Sequence, residues 1–210
     1  EDVRMAQLKD PQAPHAAAYS QFHETAEFCG ACHNVDHPTN GTHLEATYSE
    51  WSESPYAAEG IVCQDCHMTP GAGVTKPNPG KAASMGPDRE HIYTMTFAGG
   101  NAGLGDAALA EANLKAAAEL ELEAPEIVQS GDVAITTTIT NVGAGHYLPT
   151  GLTEVRQMWL EVIATDDTGA ELLNERRDFG TVLKAADGSY PAEMWDAVGI
   201  QSDDRIPPKE

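Results

Sequence analysis

Two heptapeptides decide the reading of this chain: FCGACHN (residues 28–34) and VCQDCHM (residues 62–68). Each contains Cys-x-x-Cys-His, and together they use all four cysteines of the 210 residues. Three chemistries use paired thiols. A disulfide framework belongs to short secreted chains dense in cysteine, which this is not. A redox-active pair sits on a thioredoxin-like βαβ unit, which nothing in the sequence suggests. A four-thiolate zinc site needs two Cys-x-x-Cys knuckles, but Cys32 and Cys63 lie further apart than the roughly 15–20 residues of the usual ribbon. Zinc also gives no reason for a histidine after each knuckle. Covalent haem uses every position. Each thiol forms a thioether to one vinyl group, and the two intervening residues set a spacing that spans the vinyls. The following imidazole is held beneath the ring, where it binds the iron. The sequence therefore predicts two covalently attached haem c groups on Cys29, Cys32, Cys63 and Cys66, with His33 and His67 as proximal ligands.

Composition narrows the rest. Thirty-three acidic residues oppose twelve basic ones, a formal charge of −21. Nucleic acid is excluded as a partner, because phosphate contacts need clustered Lys and Arg. An anionic membrane surface would repel the chain as well. No apolar stretch approaches the roughly 20 residues of a membrane span. Aromatic residues make up 6% of the chain, so part of the interior is expected to come from something other than side chains.

Along the chain the period of the pattern changes. Residues 1–104 are punctuated by Pro, Gly and His and read as an irregular, mainly helical or loop module carrying both haems. Its best helix is THLEATYSEWSESPY, in which Leu44, Tyr48 and Trp51 share a face and Pro55 marks the end. Residues 68–88 read as loop by composition. Residues 105–118 read as a connecting helix capped by Asp106. Residues 119–210 alternate with period two: ELELE, VAITTTIT and MWLEVIA, then a hairpin turn and return strand at DDTGAELL, with short strands near 180–183 and 198–200. Four or five strands fall short of the seven of an immunoglobulin-like sandwich. The fold expected is α+β: the dihaem module followed by a partial immunoglobulin-like antiparallel β-sandwich. It is completed either by chain beyond Glu210 or by another molecule.

Six histidines remain to fill the far side of each iron. His146 sits in NVGAGHYLPTG, where Gly143 and Gly145 permit close backbone approach and Pro149 stiffens the exit. His91 sits just before a glycine pair. The bland alternative for each is an ordinary loop histidine. His23, His43 and His15 are the reserves, with Met95, which packing explains as well as ligation does.

The stretches TYSEWSESPYAAEGIVCQDCHM, HIYTMTFAGGN and NVGAGHYLPTGLTEVRQMWLEV resemble the multihaem cytochrome c family of respiratory and metal-reducing microbes. In that family a module akin to cytochrome c-554 precedes a β-sandwich domain. The resemblance covers the chain from about residue 28 onward. It implies export to the periplasm or cell exterior, haem attachment there, and bis-histidine ligation with His91 and His146 as the distal ligands. Two departures stand out. Relatives often carry four or more haems, and Tyr56 and Met95 stand where they commonly have histidine. The function expected is electron transfer between redox partners, either other redox proteins or copies of this chain in a homopolymer. The alternative is a haem enzyme, a small-oxyanion reductase or peroxidase, with one open iron.

Overall fold

The computed structural model describes residues 2–99, 103, 105–125, 133–152 and 155–209. The helices of its first half are short: α1 (Ala26–Gly30), α2 (Thr47–Ser52), α3 (Pro55–Ala58) and α4 (Gln64–His67). One turn fixes several dihedrals for few hydrogen bonds, so such helices depend on tertiary contacts. Pro55 takes the first position of α3, where its missing N–H costs nothing. Gly60 ends that segment at φ 73°, a conformation that glycine adopts freely. The extended stretches between helices pair locally. β1 (Arg4–Ala6) runs parallel to β2 (Ala17–Tyr19). β3 (Val35–Asp36) pairs with β4 (His43–Glu45), and β5 (Gly80–Lys81) with β6 (Asp88–Arg89), both antiparallel.

This corrects the expected mainly helical module. The chain is 19% helix and 29% strand, in small paired sheets. Proline and glycine stop each helix after about a turn, and the segments left over find strand partners instead. His43–Glu45, expected within a helix, is β4, and it buries Leu44. Pro55 opens a helix rather than closing one.

The second half begins with α5 (Ala107–Ala117), whose cap is Asp106, accepting the Leu109 N–H at 3.0 Å. The chain passes directly into β7 (Ala118–Glu123), antiparallel to β8 (Thr136–Asn141), with Leu120 opposite Ile139. β9 (Met158–Thr165) and β10 (Glu171–Phe179) form a hairpin. Asp166 closes its turn by accepting the N–H groups of Thr168 and Ala170, each at 2.9 Å. β11 (Thr181–Lys184) pairs with β12 (Gly199–Asp203). The strands fall where period-two alternation puts them, but the partial immunoglobulin-like sandwich does not form from them. Among the described residues each pair is a separate two-stranded ribbon. Along β7 and β10 nearly every side chain is exposed, so among the described residues no further strand or sheet covers them, and a ribbon alone cannot bury a face. A cavity of about 220 Å³ lined by Thr137, Ile139, Leu160, Arg177, Phe179 and Ile206 lies between β8 and the β9–β10 hairpin.

Buried apolar material is scarce. Among the described residues nine apolar side chains are buried, and five of them are alanines. The accessible surface is 13651 Å², against roughly 9,400 Å² for a compact monomer of this mass. The two halves share what core there is: Leu44 packs with Leu183 and Ala197, flanked by Leu152 and Met194. His37 Nε2 donates to the Trp195 carbonyl at 2.7 Å, and Asn40 Nδ2 to that of Ala197 at 2.7 Å. The expected module boundary at Leu104, and Gly100 of the glycine pair, lie outside the described residues. Among those residues no helix is long and apolar enough to cross a membrane.

Candidate functional site

The second Cys-x-x-Cys-His run is held by its two intervening residues, both fully buried. Gln64 Nε2 donates to the carbonyls of His23 (3.2 Å) and Thr25 (2.8 Å), tying this motif to the turn that leads into α1. Asp65 accepts the Val62 N–H at 3.0 Å and the Tyr93 hydroxyl at 2.9 Å, with Lys76 Nζ at 3.2 Å. Burial, reinforced by the Asp65 hydrogen bond, pushes the Tyr93 phenol well above its usual range. The loop between α4 and α5 is thereby wrapped around the motif.

His67 and His146 come together over this site. Their rings lie 6.2 Å apart between centres and 18° from parallel. His67 donates its Nδ1 proton to the Ala98 carbonyl, and His146 donates its own to the Tyr147 carbonyl at 3.0 Å. A carbonyl only accepts, so both imidazoles keep their lone pair on Nε2. Burial lowers the His146 imidazole, the Tyr147 carbonyl opposing it, so the ring stays neutral and able to ligate. The pair is stacked, and its centre-to-centre distance is also near that of two imidazoles on one metal: bonds of about 2 Å on each side, plus about 1.1 Å from each Nε2 to its ring centre, give about 6 Å.

The loop bearing His146 is fitted closely to both halves. Gly143 donates its N–H to the Ala117 carbonyl at 3.1 Å. A Cβ on Gly143 would lie 2.1 Å from the Ala116 carbonyl oxygen, so only glycine permits this approach. Gly145 packs under the Tyr56 and Trp51 side chains, and Tyr56 donates its hydroxyl to the Val142 carbonyl at 3.0 Å. Tyr56 is thus a brace for this loop. Buried Asn141 donates to the His146 carbonyl at 2.8 Å and accepts the Ala144 N–H at 3.0 Å.

The first motif is more open. Gly30 lets α2 close on α1, since a Cβ there would sit 2.5 Å from the Tyr48 ring. His33 donates Nδ1–H to Glu45 at 2.9 Å, the carboxylate–histidine arrangement that orients metal-binding imidazoles. Its side chain is 63% exposed, and among the described residues no histidine ring faces it as His146 faces His67. His91 packs with Asn78 and Tyr93. Its Nδ1 accepts the Asn78 N–H at 2.9 Å, which places the ring proton on Nε2, and that nitrogen is buried without a partner among the described residues. Its ring stands edge-on to Tyr93 at 4.5 Å. Among the reserves, His43 is engaged by Asp36 at 2.5 Å, His15 by the neighbouring Ala16 carbonyl at 3.1 Å, and Met95 is exposed. His23 packs at 4.7 Å on Phe28, with its Nδ1 buried and unpartnered among the described residues.

All four thiols are free of disulfides. Cys29 and Cys63, from different motifs, approach to 4.3 Å. The interaction between the two thiols lowers Cys29 and raises Cys63, where burial adds to it. Burial, then Asp65, raises Cys66 to about 11. Among the described residues no three His, Cys, Asp or Glu side chains converge on a common point.

Sequence reasoning passed over Gln64, Asp65, Tyr93, Asn141 and Glu45. Only Gln64 and Asp65 had a local signal, their place between the paired cysteines. The others act through partners distant in sequence. Comparison with protein-family models, curated proteins and solved structures returns no match.

Proposed function

We propose that this chain is an exported dihaem c-type cytochrome of the multihaem cytochrome c type, which passes electrons between redox partners. The observation that carries the reading is the His67–His146 pair, two imidazoles with nearly parallel planes and ring centres 6.2 Å apart, near the spacing that two ligands of one iron would have. Cys63 and Cys66 would fasten one haem at this pair, and Cys29 and Cys32 a second at His33. Haem iron bound there supplies one-electron exchange between its ferrous and ferric states.

The residues account for the rest. Ala98, Tyr147 and Glu45 hold the Nδ1 protons and so aim three Nε2 lone pairs. The approach of Cys29 to Cys63 brings the two attachment sites together. A formal charge of −21 opposes added negative charge and so disfavours reduction, an effect that salt screens. The scarcity of buried apolar side chains is what a chain organised around macrocycles would have. The exposed ribbons offer edges to other redox proteins or to copies of this chain.

The test is mass spectrometry of the purified, coloured protein. Haem adducts on all four cysteines are expected, and unmodified thiols would end the proposal. A second reading has its own support. The exposure of His33, with no histidine opposite, suits an enzyme with one open iron. Ferric-state spectroscopy separates the two. Two low-spin irons favour a carrier, whereas one high-spin iron that binds cyanide or nitrite readily favours catalysis. Analytical ultracentrifugation tests self-assembly, and a monomer at every concentration would exclude a homopolymer.

A further inference from the structure

Glu50 and Arg205 form an ion pair that is almost wholly buried, with 6% and 9% of their side chains exposed. They stand 155 residues apart, one on α2 and the other just beyond β12. While Arg205 Nη1 holds one carboxylate oxygen of Glu50, the other oxygen accepts the Tyr147 N–H at 3.1 Å and the Thr150 hydroxyl at 2.7 Å. Thr150 in turn meets the Thr47 hydroxyl at 2.9 Å. Tyr147 follows His146, and its carbonyl takes the His146 Nδ1 proton. The Glu50 carboxylate thus fixes the peptide plane joining His146 to Tyr147.

The guanidinium is itself fixed. Nε and Nη2 grip Asp203 at 2.8 and 2.7 Å, and the group lies 5.1 Å over the Tyr147 ring. The segment after it runs along the His146 loop. Leu148 and Ile206 exchange two backbone hydrogen bonds, at 2.9 and 2.8 Å, and Lys209 donates to the Asn141 carbonyl at 3.0 Å.

We propose that the Glu50–Arg205 pair is a positioning clamp that holds the His146 imidazole opposite His67, so that the segment after β12 governs whether the second iron keeps its sixth ligand. The proposal rests on the haem reading of His67 and His146. A buried ion pair is a poor stabiliser, since apolar residues of similar volume often serve stability as well. What an apolar pair cannot supply is the acceptor that orients the Tyr147 N–H. Position and stability are therefore separable here.

The test compares the parent haem protein with E50Q, R205M, the double variant E50M/R205M, and H146A. Carbon monoxide binding to the reduced protein counts open irons, and thermal melting reads stability. The clamp predicts that E50M/R205M, although its unpaired Tyr147 N–H lowers the melting temperature somewhat, stays folded and binds carbon monoxide at one more haem, as H146A does. R205M should open the same iron and E50Q, whose amide oxygen can still accept the Tyr147 N–H, should open it less; added imidazole should restore the low-spin spectrum in each. Opening of one iron by H146A but not by E50M/R205M would overturn the clamp alone. So would simultaneous disturbance of both haems in E50M/R205M, or failure of imidazole to restore its spectrum. If H146A leaves carbon monoxide binding unchanged, the ligand assignment falls, and the clamp with it.

Discussion

Gly143→Ala tests the fit of the His146 loop against α5. The new Cβ would lie 2.1 Å from the Ala116 carbonyl oxygen, 2.9 Å from its carbon and 3.3 Å from the Ala117 Cα. All three are backbone atoms. Ordinary contact starts at 3.4 Å, so the loop must lift by about 1.3 Å, a displacement that a metal–nitrogen bond of about 2 Å cannot absorb. Overpacking of this kind costs about 1–3 kcal/mol, and for a chain of this size each kcal/mol lowers Tm by about 2–4 °C. The expected loss is therefore about 2–12 °C, together with carbon monoxide binding at one more haem. Gly145→Ala is the control. Its Cβ meets the Tyr56 side chain at 3.1 and 3.2 Å and Trp51 at 3.4 Å, and these are side chains that can shift by a few tenths of an ångström. Its cost should be under about 1 kcal/mol. Circular dichroism melts and carbon monoxide difference spectra read both variants. The reasoning is refuted if G143A melts with the parent and opens no iron, or if G145A is the more damaging.

Three other expectations concern the attachment motifs. Gln64→Leu leaves the His23 and Thr25 carbonyls without their donor, and stability in urea should drop by about 1–3 kcal/mol; an unchanged midpoint contradicts the tie between the motifs. Asp65→Asn should cost a similar amount, because three donors then face a neutral amide. The carboxylate raises the Tyr93 phenol, so its loss must bring phenolate formation to lower pH in an alkaline difference titration, and a titration at or above the parent's would be contrary. In the haem-free chain, Cys29 lies below the usual thiol range and Cys66 near 11. As pH rises, alkylation mapped by mass spectrometry should therefore reach Cys29 well before Cys66. Cys63→Ala removes the neighbouring thiol and should slow Cys29 at neutral pH, whereas equal rates before and after would count against the pairing.

What could be read in advance followed from range. Alternation along Leu120 and Leu122, along Ile139, and from Met158 to Thr165 marks strands because each side chain reports its own face. The Asp106 cap is equally local. Ribbon pairing is not local, and period two says nothing about whether a second sheet covers the exposed faces of β7 and β10. The helix expected over residues 42–56 starts later than its stripe implies: Leu44, Tyr48 and Trp51 share a helical face, but the chain passes through β4 before α2 begins. Gly143 and Gly145 beside His146 signal a close backbone approach, which the structure uses against Ala116 and Tyr56. The Asn78 N–H that meets the His91 ring is a contact that spacing does not reveal. Glu50 and Arg205 gave no sign, since their pairing exists only once the chain has folded.

Electron paramagnetic resonance of the oxidised protein tests most directly whether His67 and His146 hold one iron between them. Imidazole planes only 18° apart predict a rhombic low-spin ferric signal that disappears in H146A and returns with added imidazole. A protein without haem, or a low-spin signal that survives H146A unchanged, would contradict the account.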